Sequence, residues 1–163
     1  MSSVLVIGVG NRFGRDDGVG PAVIDRVRQL CPDTPALEAD GEPARLVEAW
    51  DNADLVILVD AVRSGAPAGT RHRLVVDSDE EAAGLGGFAS TTSSHGAGVA
   101  EAWALGAALG RTPRRLVVLG VEGACFEPGH GLSDAVARSV VGTARSVHDE
   151  IAAAREPHPD LPF

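Results

Sequence analysis

Tyrosine is absent, and the aromatic content is only four Phe and two Trp, so any core must be built from aliphatic side chains. The two cysteines, Cys31 and Cys125, are isolated and lack CxxC spacing, which argues against a thiolate zinc site or a disulfide framework. Basic residues are few, 14 against 23 acidic, and the formal net charge of −9 argues against nucleic acid or an anionic membrane as partner. No stretch approaches the about 20 continuous apolar residues that span a bilayer. Arg12 follows the first apolar run almost at once, so the N-terminus does not read as a signal peptide and a cytoplasmic location is expected. The HExxH spacing of a self-contained zinc peptidase is missing as well. At 163 residues without internal repeats, the chain reads as one domain.

What is present centres on residues 4–20, VLVIGVGNRFGRDDGVG. Val4, Leu5, Val6 and Ile7 favour a strand, and Gly8 and Gly10 permit a tight turn into a helix, with the acidic pair Asp16 and Asp17 between them. The competing reading is a dinucleotide fingerprint. Its third glycine should fall where Phe13 stands, and a pyrophosphate would meet Asp16 and Asp17 with like charge, so the glycines read as turn residues. Two carboxylates at the carboxyl end of a first strand suit a cation.

Further along, Val19, Val23, Val27 and Leu30 recur at helical spacing and predict a helix ending before Pro32. Residues 34–39 predict a short strand, and residues 40–43 a turn capping a helix that contains Leu46, Val47 and Trp50. The run Leu55, Val56, Ile57, Leu58, Val59 predicts a strand covered on both faces, with Asp60 ending it. Residues 71–76 read as a strand nearer the edge, and residues 77–87 as an acidic, glycine-rich loop. Residues 91–95, TTSSH, lead into a helix with Val99, Ala102, Trp103 and Leu109 on its inner side. Leu116 to Leu119 lie in another buried strand, and residues 122–131 read as a loop rich in glycine and proline. Ser133 reads as the cap of a last helix with the stripe Val136, Val140, Ala144, Val147 and Ile151.

This alternation predicts a single three-layer α/β domain with a mainly parallel twisted sheet flanked by helices. Asp17 after the first strand and Asp60 at the central one reach the same end of such a sheet, and His95 opens a later helix. Two carboxylates and an imidazole make a mixed oxygen and nitrogen set for a divalent transition metal, with positions left for water or substrate. The structural alternatives are helix or turn capping for Asp60 and a helix-start hydrogen bond for His95. Asp16 is available to the loop backbone, and Glu127, His130, His72 and His158 read as surface or loop residues.

The sequence resembles the nickel-iron hydrogenase maturation endopeptidases, which remove a C-terminal extension from the hydrogenase large subunit. The resembling blocks are GVGNRFGRDDGVG, the LVDA that ends at Ala61, TTSSHG, and LGVEGACFEPGHGLS, in that order. The similarity runs from Val4 to Ile151, giving a domain over 1–154 and a tail over 155–163.

The resemblance implies that Asp17, Asp60 and His95 are both the metal-contacting and the catalytic residues. It also implies no permanent cofactor: nickel arrives in the precursor substrate, and zinc or another divalent ion could occupy the isolated protein adventitiously. The implied partner is a NiFe-hydrogenase large-subunit precursor. No serine or cysteine nucleophile is implied, and Ser93, Ser94, Cys31 and Cys125 have no setting that demands one. Two departures stand out: Asp17 where some members carry glutamate, and GEP at 41–43 where some carry a glycine and threonine pair. The alternative function is a noncatalytic nickel-dependent maturation or metal-sensing protein that binds without cleaving.

Overall fold

A computed structural model describes residues 3–85 and 96–156. Five strands form one sheet in the order β2-β1-β3-β5-β4. They are β1 (Val4–Val9), β2 (Ala36–Ala39), β3 (Leu55–Val62), β4 (Arg71–Val76) and β5 (Arg115–Glu122). Strands β2, β1, β3 and β5 run parallel, and only β4 at the edge is antiparallel. The named helices are α1 (Val19–Leu30), α2 (Pro43–Trp50), α3 (Gly96–Leu109) and α4 (Asp134–Arg155), and residues 83–85 are also helical, inside the segment 77–87 expected to be a loop.

The absence of a polar face on β3 follows from its position. Every residue of β3 is buried, because α1 and α4 cover one side of the sheet and α2 and α3 the other. Strand alternation sends Leu55, Ile57, Val59 and Ala61 into the first core and Val56 and Leu58 into the second. The near lack of aromatics is offset on the second side by Trp50 and Trp103, which meet edge to face at 6.4 Å. The Trp50 indole N–H is satisfied by the Arg111 carbonyl at 2.9 Å.

Local chemistry explains the helix ends. The Glu42 carboxylate accepts from Ala44 N and Arg45 N, and Pro43 occupies the first turn of α2, where its missing N–H costs nothing. Helix α1 lies very close to the sheet. A Cβ on Gly20 would collide with the Val9 carbonyl and stand 2.8 Å from the Val59 carbonyl oxygen, so only glycine fits there.

Several expectations need revision. Leu30 and Leu109, placed on inner faces, are 40% and 57% exposed. Each is the last residue of its helix, where the chain has outrun the core, and Ile24 takes the buried place in α1. The strand at residues 34–39 is shorter, Ala36–Ala39. Asp60 does not end its strand, because β3 continues through Val62, paired with Glu122 of β5. Glu122, read as part of a loop, is accordingly the last residue of β5.

Candidate functional site

The connection order decides where a ligand crevice opens. From β1 the chain passes through α1 to β2 on one side, then returns through α2 to β3 on the other side of β1. The crevice outside the carboxyl ends of β1 and β3 is therefore the switch point of the sheet, where open α/β folds bind ligands.

Asp17 lies in a 3-10 turn, Arg15–Gly18, that leaves β1 and packs against β3. Gly10 makes that turn possible: its φ is +146°, and a Cβ would run into the Asp17 carbonyl. The Asn11 side chain closes the loop by accepting from Phe13 N at 2.9 Å. Asn11 N donates to both the Asp17 carbonyl and Asp17 Oδ2, each at 3.2 Å. That bond sets Oδ2 against the backbone of its own turn, and Asp17 is 7% exposed.

Asp60 is fully buried near the end of β3, and its Oδ1 accepts from Ala61 N at 2.8 Å. It shares the parity of Val56 and Leu58, so it faces the side covered by α2 and α3. Its cross-strand neighbour on β5 is Gly120, which places no side chain beside it. His95 lies outside the described residues, as do Ser93 and Ser94. The first turn of α3 is set against the loop after β2, since a Cβ on Gly98 would meet the Gly41 carbonyl. That loop leads through Glu42, the N-cap, into Pro43 at the start of α2. Among the described residues, no group of three or more His, Cys, Asp and Glu could hold a metal.

Asp16, beside Asp17, does different work. It is fully buried and points into the 123–133 loop. Its Oδ2 accepts from Ala124 N at 2.7 Å, Cys125 N at 2.9 Å and the Ser133 hydroxyl at 2.8 Å, and its Oδ1 accepts from Ser133 N at 2.8 Å. Burial alone would raise this carboxyl's pKa, but those four hydrogen bonds outweigh it and hold the group below its ordinary value. Availability to the loop backbone, expected from sequence, is the role observed. Ser133 does precede α4, yet its side chain makes no cap bond, because its hydroxyl is committed to Asp16.

One cluster escaped the sequence reading. Glu122 is buried and accepts from Ser64 N at 3.1 Å and from the Ser64 hydroxyl, and His72 Nε2 lies 3.0 Å from its Oε1. His72 lies on β4, the strand expected at residues 71–76, and is half-buried against Glu122 rather than a simple surface residue. Together these contacts fasten the segment after β3 to the end of β5. The available signal was the alternation of β5 carried one residue further, to an acid with no solvent to face.

A three-layer α/β domain with two buried carboxylates near the switch point of its sheet places the chain among open α/β proteins whose ligands meet the carboxyl ends of the strands. The comparisons narrow that class. The family model described as hydrogenase maturation protease matches residues 34–150. The hydrogenase expression/formation protein HupD of Thiocapsa roseopersicina is 33% identical over 122 residues, covering 73% of this chain and 53% of that protein. The hydrogenase 2 maturation protease of Escherichia coli K12 is 30% identical over 138 residues, covering 82% of this chain and 80% of that one. The solved hydrogenase maturating endopeptidase HybD of E. coli superposes with a TM-score of 0.80 at 24% identity, over 93% of each chain, which shows the shared fold. The chain belongs to the hydrogenase maturation protease family. It spans little more than half the length of the Thiocapsa relative, at 53%.

Proposed function

We propose that this protein is an endopeptidase that removes the C-terminal extension of a nickel-loaded NiFe-hydrogenase large-subunit precursor. The observation that carries the reading is the pair Asp17 and Asp60, two buried carboxylates delivered by separate elements to the carboxyl edge of β1 and β3. Burial makes a carboxylate costly unless it is paired or hydrogen-bonded, and a cation in the crevice would be a further partner for both. The names of the relatives support proteolysis in hydrogenase maturation.

In this mechanism nickel is part of the substrate. Asp17 and Asp60, with His95 from the segment before α3, contact the precursor's metal and so set the scissile bond at a fixed place relative to it. Water then adds across the amide: the C–N bond breaks, the hydroxyl joins the carbonyl carbon, and the proton goes to the leaving amine. The cysteines take no part as nucleophiles. Cys31 is buried beyond the end of α1, and burial raises its thiol pKa, with Arg155 opposing the shift. Cys125 is tied through its backbone to Asp16 in both directions.

Intact-mass measurement of a cognate precursor, with and without nickel, tests the reading. The nickel-loaded precursor should lose one C-terminal fragment and the nickel-free precursor little or none. Asp17→Asn, Asp60→Asn and His95→Ala should each suppress that loss while keeping the wild-type unfolding midpoint. Equal cleavage of both precursors rejects nickel recognition. Stable binding of the loaded precursor without any mass change favours the noncatalytic metal-sensing alternative.

A further inference from the structure

Each candidate carboxylate has an arginine close by in sequence, and the 123–133 loop holds both guanidinium groups. Arg63 follows Asp60 by three residues, and its Cζ lies 4.3 Å from the centroid of the Phe126 ring. Arg15 precedes Asp17 by two residues and lies along Gly129, where a Cβ would stand 3.1 Å from its Nε. Backbone bonds fix this second pair, from Arg15 N to the Gly129 carbonyl at 3.1 Å and from Gly129 N to the Phe13 carbonyl at 2.7 Å. The loop itself is pinned from below by Asp16.

Arg12, Arg45, Arg73, Arg111 and Arg114 are all ion-paired to carboxylates. Like several other arginines, Arg15 and Arg63 are exposed and make no such pair among the described residues; what marks these two is that both lie against the 123–133 loop. A guanidinium resting on an aromatic face spends its own face on that contact and keeps its edge N–H donors free for a carboxylate. Phe13 extends the same rim, 63% exposed and edge to face with His130 at 4.6 Å.

We propose that Arg63 and Arg15 form a rim that recognises an acidic peptide segment, one carrying Asp or Glu side chains next to the scissile bond of the precursor. The proposal rests on the precursor-binding reading above. A chain with net charge −9 and buried acids in its crevice repels such a segment at long range, so local cations are needed to seat it. The rim supplies them beside the carboxylates that read the metal, and Phe13 offers an apolar surface for the intervening residues.

The test measures binding of a nickel-loaded large-subunit precursor to the full chain by surface plasmon resonance. Wild type, Arg63→Gln, Arg15→Gln and the double variant are compared at low and high salt. A second precursor carries Asn and Gln in place of every Asp and Glu of its C-terminal segment. Each single variant should raise Kd about three- to tenfold at low salt, with the effect shrinking as salt rises. Against the neutralised precursor, wild type and double variant should bind alike. A double variant within about twofold of wild-type affinity for the native precursor, with an unchanged unfolding midpoint, overturns the rim. So does an equal loss against the neutralised precursor. Because Kd is taken from the initial association and dissociation phases, before turnover, failure of proteolysis leaves this test intact, whereas absence of wild-type binding overturns both readings together.

Discussion

Replacing Asp16 by Asn preserves the shape of a side chain that joins the crevice floor to the 123–133 loop, and removes only its charge. The carboxylate accepts from three backbone N–H groups and one hydroxyl, at 2.7 to 2.9 Å. An amide has a single acceptor atom. With its oxygen at the Oδ2 position it can still serve Ala124, Cys125 and the Ser133 hydroxyl, but its NH2 then faces the Ser133 N–H, donor against donor. A buried donor without an acceptor costs about 1 to 3 kcal/mol. Loss of charge assistance in the remaining bonds adds about 1 kcal/mol. The expected destabilisation is therefore about 2 to 4 kcal/mol, or a fall in Tm of about 5 to 15 °C for a domain of this size.

The pH dependence has a definite sign. The folded pKa of Asp16 lies below its unfolded value of about 3.9, so the unfolded chain takes up the proton first as pH falls. The stability it contributes is complete above that unfolded value and is lost as pH falls through the lower folded value. Urea midpoints followed by circular dichroism should show a constant gap between wild type and Asp16→Asn from about pH 5 upward, closing below about pH 4. A variant with the wild-type midpoint at neutral pH, or a gap unchanged at about pH 3, would refute the account of this carboxylate.

Gly20→Ala should cost about 3 kcal/mol in urea unfolding, because its Cβ meets the fixed backbone carbonyls of Val9 and Val59; a neutral substitution would mean that α1 sits further from the sheet. Glu42→Ala removes the acceptor for Ala44 N and Arg45 N at the start of α2 and should lower stability by about 1 kcal/mol, a loss absent if water replaces the cap. Glu122→Ala strips the acceptor from Ser64 and the partner from His72 inside a buried site and should cost about 2 to 4 kcal/mol, so an unchanged midpoint would show that those contacts are dispensable.

The architecture was legible in sequence because its signals are local. Continuous apolar runs at Leu55 to Val59 and Leu116 to Leu119 require a sheet covered on both faces, and the helical stripes between them require crossovers. Asp17 and Asp60 stood out from local signals as well, Asp60 as the acid directly after an apolar run and Asp17 as one of an acidic pair between the glycine turn and the first helix. The division of labour within the acidic pair was not local. Asp16 and Asp17 are identical in type and adjacent in sequence, and only the fold brings Ala124, Cys125 and Ser133 to one of them. Ser133 shows the converse: its helix-start position was readable, but its hydroxyl went to an acid 117 positions away instead of to its own helix. The burial of Glu122 and its pairing with His72 likewise depend on β4 joining the sheet antiparallel beside β5, a choice no single segment encodes. Sequence by itself determined which segments must be strands and helices, since that depends on neighbours within a few residues. Tertiary structure decided which polar groups became partners, since a buried acid binds whatever donor the assembled chain places within about 3 Å.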